Sequence, residues 1–454
     1  MSSSFESFRY PSKAALLKKC DGLGLSISYL DNFDLLFTPL AVGDRQTPNR
    51  FAIQPMEGCD GTEDGAPTPL TFRRYQRFAA GGAGLIWFEA TAVTPEGRAN
   101  PHHLLLSKAN LPDFKRLVEE TRHAAAVAVN GSHAILLILQ LTHAGRYARP
   151  VDRPQPVRAQ YNPILDPLQG LTEEDPLITD EGLLDLQDQF LNAAELALAA
   201  GFDGVDVKAC HGYLISELLA AATRLESRFG GLFDNRSRFL TETVQKIHEE
   251  FPGLIAASRI NVYDGVEYPY GFGVDSEDPD QFDLWEPIEL IKKLKNSGCA
   301  LLNITMGIPY VNPHIGRPYN TPLAGGKSPA EHPLIGIDRL MTATRVLQQG
   351  ETDLPMVGTG YSWLQHHWPH VGAGVVQSGG AQLIGIGRGA IAYPDFVKDL
   401  YEKGAMDPGS VCIGCSRCSQ LMRDHGRAGC VVRDAEIYQL EYQQGRDRAK
   451  ESEG

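Results

Sequence analysis

Gly204-Val205-Asp206-Val207-Lys208-Ala209-Cys210-His211-Gly212-Tyr213-Leu214 reads as a short buried strand that opens directly into three polar side chains. A brief apolar run bounded by polar and turn residues is a strand signal. Similar runs occur at Phe51–Gln54, Gly84–Phe88, Ala134–Leu141, Leu254–Ile260, Ala300–Thr305, Pro355–Gly358 and Gln382–Gly385. Helical patterns separate them, among them Leu111–Val127, Leu183–Ala200, Arg236–Glu250, Pro287–Ser297 and Ile337–Gln349. Strand–helix alternation implies parallel strands joined by crossover helices. Right-handed crossovers let eight such units close into a (β/α)8 TIM barrel of the α/β class. The rival is a doubly wound open sheet, but no Gly-x-Gly-x-x-Gly follows the first strand.

Within the 454 residues, positions 1–36 read as an N-terminal extension, 37–402 as the barrel and 403–454 as a cysteine-rich segment with a charged, helical tail. A net charge of -14 argues against nucleic acid, because a phosphate-tracking surface needs clustered Lys and Arg. No apolar run approaches the roughly 18 residues of a membrane span. The N-terminus lacks a signal peptide's apolar core, so a cytoplasmic protein is expected. Residues 147–180, 262–284 and 306–334 form long excursions after strand ends, on the face where barrel active sites form.

Lys208, His211 and Tyr213 leave the fourth strand at the barrel mouth, where they can hold a carbonyl or carboxylate oxygen and supply a proton. Gly358-Thr359-Gly360 and Gly385-Ile386-Gly387-Arg388-Gly389 close strands seven and eight, the usual phosphate loops of this architecture. Gln140, His143 and Arg146 end the third strand and Arg259 the fifth. Singly, each is more often satisfied by its neighbours than by a ligand. Their shared position favours cofactor contact. Cys412, Cys415, Cys418 and Cys430 have the spacing C-x2-C-x2-C-x11-C, which reads as iron–sulfur or zinc ligation before disulfides, with unligated thiols a third option.

Five further segments sharpen the reading. They are Asn49-Arg50-Phe51-Ala52-Ile53-Gln54-Pro55-Met56, Phe88-Glu89-Ala90-Thr91-Ala92-Val93-Thr94-Pro95-Glu96-Gly97, Gln140-Leu141-Thr142-His143-Ala144-Gly145-Arg146, Phe229-Gly230-Gly231-Leu232-Phe233-Asp234-Asn235-Arg236-Ser237-Arg238-Phe239, and Gly387-Arg388 through Tyr393-Pro394-Asp395. In this order, with the fourth-strand set, they resemble the old yellow enzyme family of FMN-dependent NAD(P)H:flavin oxidoreductases from about Phe37 to Cys430. The resemblance implies that Pro55, Met56, Ala90 and Gln140 line the flavin ring. It implies that Arg259 faces the N1/O2 side, and that Gly360, Gly387 and Arg388 hold the phosphate. Lys208 and His211 would grip a substrate carbonyl oxygen, and Tyr213 would protonate the carbon opposite the hydride. The cysteine spacing resembles the 4Fe–4S ligands of the trimethylamine dehydrogenase and 2,4-dienoyl-CoA reductase branch.

Two positions depart from the family pattern. Lys208 stands in place of a histidine, keeping a positive charge on a longer, softer donor. Glu57 stands where a Thr or Cys near flavin O4 is usual, and a carboxylate there disfavours the anionic reduced flavin unless it turns away or is protonated. That branch usually continues into nucleotide domains; this sequence shows no dinucleotide fingerprint. Electrons are then expected from NAD(P)H directly, or through the cluster from an electron-carrier protein; a homo-oligomer is compatible with either. The expected activity is NAD(P)H-driven reduction of the double bond of an α,β-unsaturated carbonyl compound. The alternatives are an amine or alcohol dehydrogenase draining electrons through the cluster, and a lyase using Lys208 as a Schiff base.

Overall fold

The structure, a computed structural model, describes residues 4–128 and 134–453. Eight parallel strands close into a barrel in chain order. They are β1 (Phe51–Ile53), β2 (Leu85–Ala92), β3 (Leu136–Thr142), β4 (Gly204–Val207), β5 (Ile255–Asn261), β6 (Leu301–Thr305), β7 (Met356–Gly358) and β8 (Leu383–Ile386). The seam pairs Ile384 with Phe51 and Ile386 with Ile53. The fold expected from the alternation is therefore the fold that forms, with each strand within a few residues of its expected place.

Strand periodicity builds two layers. Ala52, Leu85, Trp87, Leu136, Ile138, Ile255, Ala257, Leu301, Val357 and Leu383 pack together along the axis. The intervening Phe51, Ile53, Ile86, Phe88, Leu137 and Leu139 join a larger cluster with the outer helices. Val42, from an antiparallel hairpin (Leu40–Val42 with Arg45–Thr47), joins the axial cluster and so plugs one end of the barrel. Tyr10, Leu16 and Cys20 of the N-terminal stretch belong to the outer core.

The five expected helices form, as Leu111–Ala128, Asp180–Ala200, Phe233–Glu250, Trp285–Asn296 and Pro333–Gly350. Pro69–Ala80 and Trp368–Gln377 are among several helices that the sequence reading does not name. Pro69–Ala80 starts with Thr68 and Thr71 in a capping box and a proline at its first position. Its stripe is obscured by Arg74, which is buried against Asp60 and Glu89. Trp368–Gln377 is obscured by its glycines, which allow close approach: a Cβ on Gly372 would lie 3.1 Å from Ile384. The helical tail forms as Ala435–Glu453. No described helix is long and apolar enough to cross a membrane.

Candidate active site

The axial alternation continues upward into polar residues. Asp206 lies two residues beyond Gly204, Gln140 two beyond Ile138, and Arg259 two beyond Ala257; all are buried. Asp206 joins them: its carboxylate accepts from Trp87 Nε1 (2.8 Å), Gln140 Nε2 (2.5 Å) and the Arg259 backbone N–H (2.7 Å). Burial pushes its carboxyl above the usual range, against the pull of these donors. Beside it, Asn303 Nδ2 donates to Gln54 Oε1 at 2.7 Å. The sequence reading passed over Asp206 as a functional position, although its place between Gly204 and Lys208 on one strand face was the available signal.

Above this layer stand the predicted catalytic residues, with an unforeseen partner. Glu57 Oε1 accepts from Lys208 Nζ (3.2 Å) and from the Tyr213 hydroxyl (2.9 Å). Tyr213 and Tyr310 share a hydrogen bond of 3.2 Å, and Tyr310 stacks on Tyr147 at 3.8 Å. Burial raises the Glu57 carboxyl, but Lys208, His103 and the two hydrogen bonds outweigh it and leave its pKa below the usual value. Glu57 is thus neither turned away nor protonated; its charge is met by Lys208. Burial and then Glu57 push the Tyr213 phenol well up, so it is protonated at neutral pH. Burial, followed by Arg259, Lys208 and Arg317, holds the His211 imidazole neutral. His211 sits in the left-handed region at φ 66°, with its backbone N–H on Asn261 Oδ1 at 3.3 Å.

The remaining predicted residues fall around this group. The Pro55 carbonyl faces Arg259 Nη1 at 3.5 Å, and an added Cβ on Gly387 would meet Met56 Sδ at 3.3 Å. Ala90 lies in an irregularity of β2 between Phe88 and Thr91, its carbonyl 2.7 Å from His103 Nε2. Arg146 turns away: its guanidinium is taken up by Asp166, Glu217 and the Gln160 carbonyl, making it a structural residue.

Gly360, at φ 97°, and Gly387-Arg388 lie on adjacent loops, joined where Gly389 N–H donates to Ser362 Oγ at 3.1 Å. Arg388 Nη2 donates to the Pro318 carbonyl at 2.6 Å, whereas Nη1 is buried without a partner. Arg317 stands nearby, its pKa drawn down to about 10 by burial and by Arg388. Two neighbouring guanidiniums, one with an unmatched donor, suit a dianionic phosphate. Exchanging Arg388 for Met is expected to weaken binding of a phosphate-bearing ligand such as FMN roughly tenfold to a hundredfold, on the order of a lost charge-assisted hydrogen bond. Fluorescence titration of the apoprotein with FMN measures this.

Buried polar atoms without partners also include Gln54 Nε2, Thr142 Oγ1, Arg259 Nε, Asn303 Oδ1 and Thr359 Oγ1, contributed by five different strands or their C-terminal ends. Buried polar groups are ordinarily satisfied, so this ring fits a polar, phosphate-bearing ligand such as FMN.

Cys412, Cys415, Cys418 and Cys430 line one pocket together with Arg388. Backbone N–H groups approach two of the sulfurs, Gly414 to Cys412 at 3.5 Å and Arg433 to Cys430 at 3.3 Å. Among the described residues, no three His, Cys, Asp or Glu side chains stand close enough to hold a single metal ion. The segment is tied to the active-site loop: Ala428 N–H donates to the Gly58 carbonyl at 2.6 Å, one residue from Glu57.

A family model described as the NADH:flavin oxidoreductase / NADH oxidase family matches residues 35–406. An NADPH dehydrogenase from Listeria monocytogenes serotype 4a (strain HCC23) is 31% identical over 328 residues, covering 71% of this chain and 90% of the relative. A 2-naphthoyl-CoA reductase solved with 2-naphthoyl-CoA superposes with a TM-score of 0.68 at 20% identity, over 88% of this chain and only 57% of that one. An old yellow enzyme homologue from Zymomonas mobilis gives a TM-score of 0.59 at 23% identity, over 84% of this chain and 96% of that one.

Proposed function

The chain belongs to the NADH:flavin oxidoreductase / NADH oxidase family and is an NAD(P)H:flavin oxidoreductase; from that premise we propose that it binds FMN at the barrel mouth and reduces an activated carbon–carbon double bond conjugated to a carbonyl. The observation that carries this reading is the convergence of Lys208 and Tyr213 on one carboxylate at the mouth. A flavin held there and reduced by NAD(P)H would supply the hydride. Pro55, Met56, Ala90, Gln140 and Arg259 would line its ring, and Gly360, Gly387 and Arg388 its phosphate. Lys208 and His211 would donate to the substrate oxygen and draw charge from the double bond. Tyr213 would deliver the proton to the neighbouring carbon. Lys208 as a Schiff-base nucleophile is disfavoured, because an ion-paired ammonium carries no free lone pair. Purified protein should show flavin absorbance, release FMN on denaturation and oxidise NAD(P)H faster when a simple enone is added. A colourless, FMN-free protein sinks the proposal.

The four cysteines are proposed as ligands of a 4Fe–4S cluster. The C-x2-C-x2-C-x11-C spacing and the shared lining of one pocket support this reading. The cluster would exchange single electrons with the flavin site. This route favours a second reading, in which an amine or alcohol is oxidised and a carrier protein collects the electrons. Changing Cys418 to Ser is expected to reduce iron and acid-labile sulfide to background with FMN retained, as checked by metal and sulfide analysis beside the flavin spectrum.

A further inference from the structure

We propose that Lys208, pinned by Glu57, is a built-in cation that fits the substrate pocket to an oxygen-bearing acceptor and closes it to organic ammonium ions. The inference rests on the oxidoreductase reading above and names the substrate class of that same site.

A carboxylate beside aromatic faces is the chemistry that captures a cation. Glu57 supplies the carboxylate, and Tyr213, Tyr310 and Tyr147 supply a run of rings, with Tyr213 and Tyr310 6.4 Å apart and Tyr310 and Tyr147 3.8 Å apart. The niche is filled by the protein itself: Lys208 Nζ lies 3.6 Å from the Tyr213 ring centroid and 3.2 Å from Glu57 Oε1. The Lys208 side chain is only 4% exposed, so this ammonium is buried against its two partners.

The surrounding charges point the same way. Glu57 is neutralised by its partner. Asp206 is committed to three donors, and Asp264 to Asn261 and the Phe272 backbone N–H. Arg259 and Arg317 both act on His211, which is left neutral. The charge that meets an incoming group in this niche is the Lys208 ammonium, seated between the Glu57 carboxylate and the Tyr213 ring. An incoming ammonium therefore meets an occupied niche and repulsion. A carbonyl or carboxylate oxygen meets an ammonium with three donor hydrogens, of which Glu57 uses one. Glu57 acts as a positioning residue: without it, a flexible lysine stem would spread its charge over many rotamers.

The test uses the holoenzyme at pH 8, with acetate as the oxyanion probe and methylammonium as the cation probe, both read by titration calorimetry. Wild type should bind acetate at least tenfold more tightly than Lys208→Met. Lys208→Met, with Glu57 exposed to the niche, should bind methylammonium at least tenfold more tightly than wild type. Adding Glu57→Gln to that variant should abolish the gain, which a merely structural role for Glu57 does not predict. Lys208→Gln replaces Lys208→Met if the latter fails to fold. Equal methylammonium affinity in wild type and variant, or no gain on removing Lys208, overturns the proposal. FMN content and bleaching of the flavin by NAD(P)H, measured on the same samples, report separately on the oxidoreductase reading.

Discussion

Replacing Tyr213 with Phe is expected to slow reoxidation of the reduced protein by an enone about 10²–10⁴-fold, the range for loss of a positioned general acid, while reduction by NAD(P)H stays close to wild type. Burial and the Glu57 carboxylate both favour the neutral phenol, so Tyr213 retains its proton at pH 7. Its oxygen is bonded to the Tyr310 hydroxyl at 3.2 Å, which holds the phenol in place. Phe preserves the ring beneath Lys208 and removes only the hydroxyl, so ion pairing and packing should persist. Stopped-flow measurement of the two half-reactions separates the outcomes. If reduction by NAD(P)H slows and reoxidation does not, Tyr213 acts on hydride entry and not as the proton donor to the enone. If neither changes, Tyr213 is not the acid.

The barrel was legible because each parallel strand is buried on both faces and so writes a compact apolar run. The catalytic residues at the end of β4 were legible because they follow such a run directly. What Glu57 does was not. Its partners Lys208 and Tyr213 lie 151 and 156 positions away in sequence, and only barrel closure brings them together. Tyr310, 97 positions from Tyr213, was hidden in a loop whose composition says only that it is long. Arg146 looked like a cofactor contact by position, yet two buried carboxylates claim it; a strand-end arginine does not announce which way it turns. The helix Trp368–Gln377 was missed because Gly372 and Gly374 lower local propensity while permitting close packing.

The second large effect is expected at Asp206, where fold and site share one carboxylate. Exchanging Asp206 for Ala removes the acceptor from Trp87 Nε1, Gln140 Nε2 and the Arg259 N–H, all within the barrel axis. A buried donor left unpaired costs about 1–3 kcal/mol, so three of them should lower stability by at least about 3 kcal/mol. Urea unfolding should show this as a lower midpoint at unchanged slope. FMN affinity should fall too, because the residues proposed to face the flavin include Gln140, bonded to Asp206 through its side chain, and Arg259, bonded to it through its backbone N–H. Asp206→Asn separates the two effects. It keeps one carbonyl acceptor for part of the network but turns an NH2 toward a remaining donor, so it should recover part of the stability and less of the affinity. An Asp206→Ala protein that unfolds with the wild type and binds FMN equally well would show that the axial donors find other acceptors. The polar layer would then have to be held by the Gln54–Asn303 pair instead.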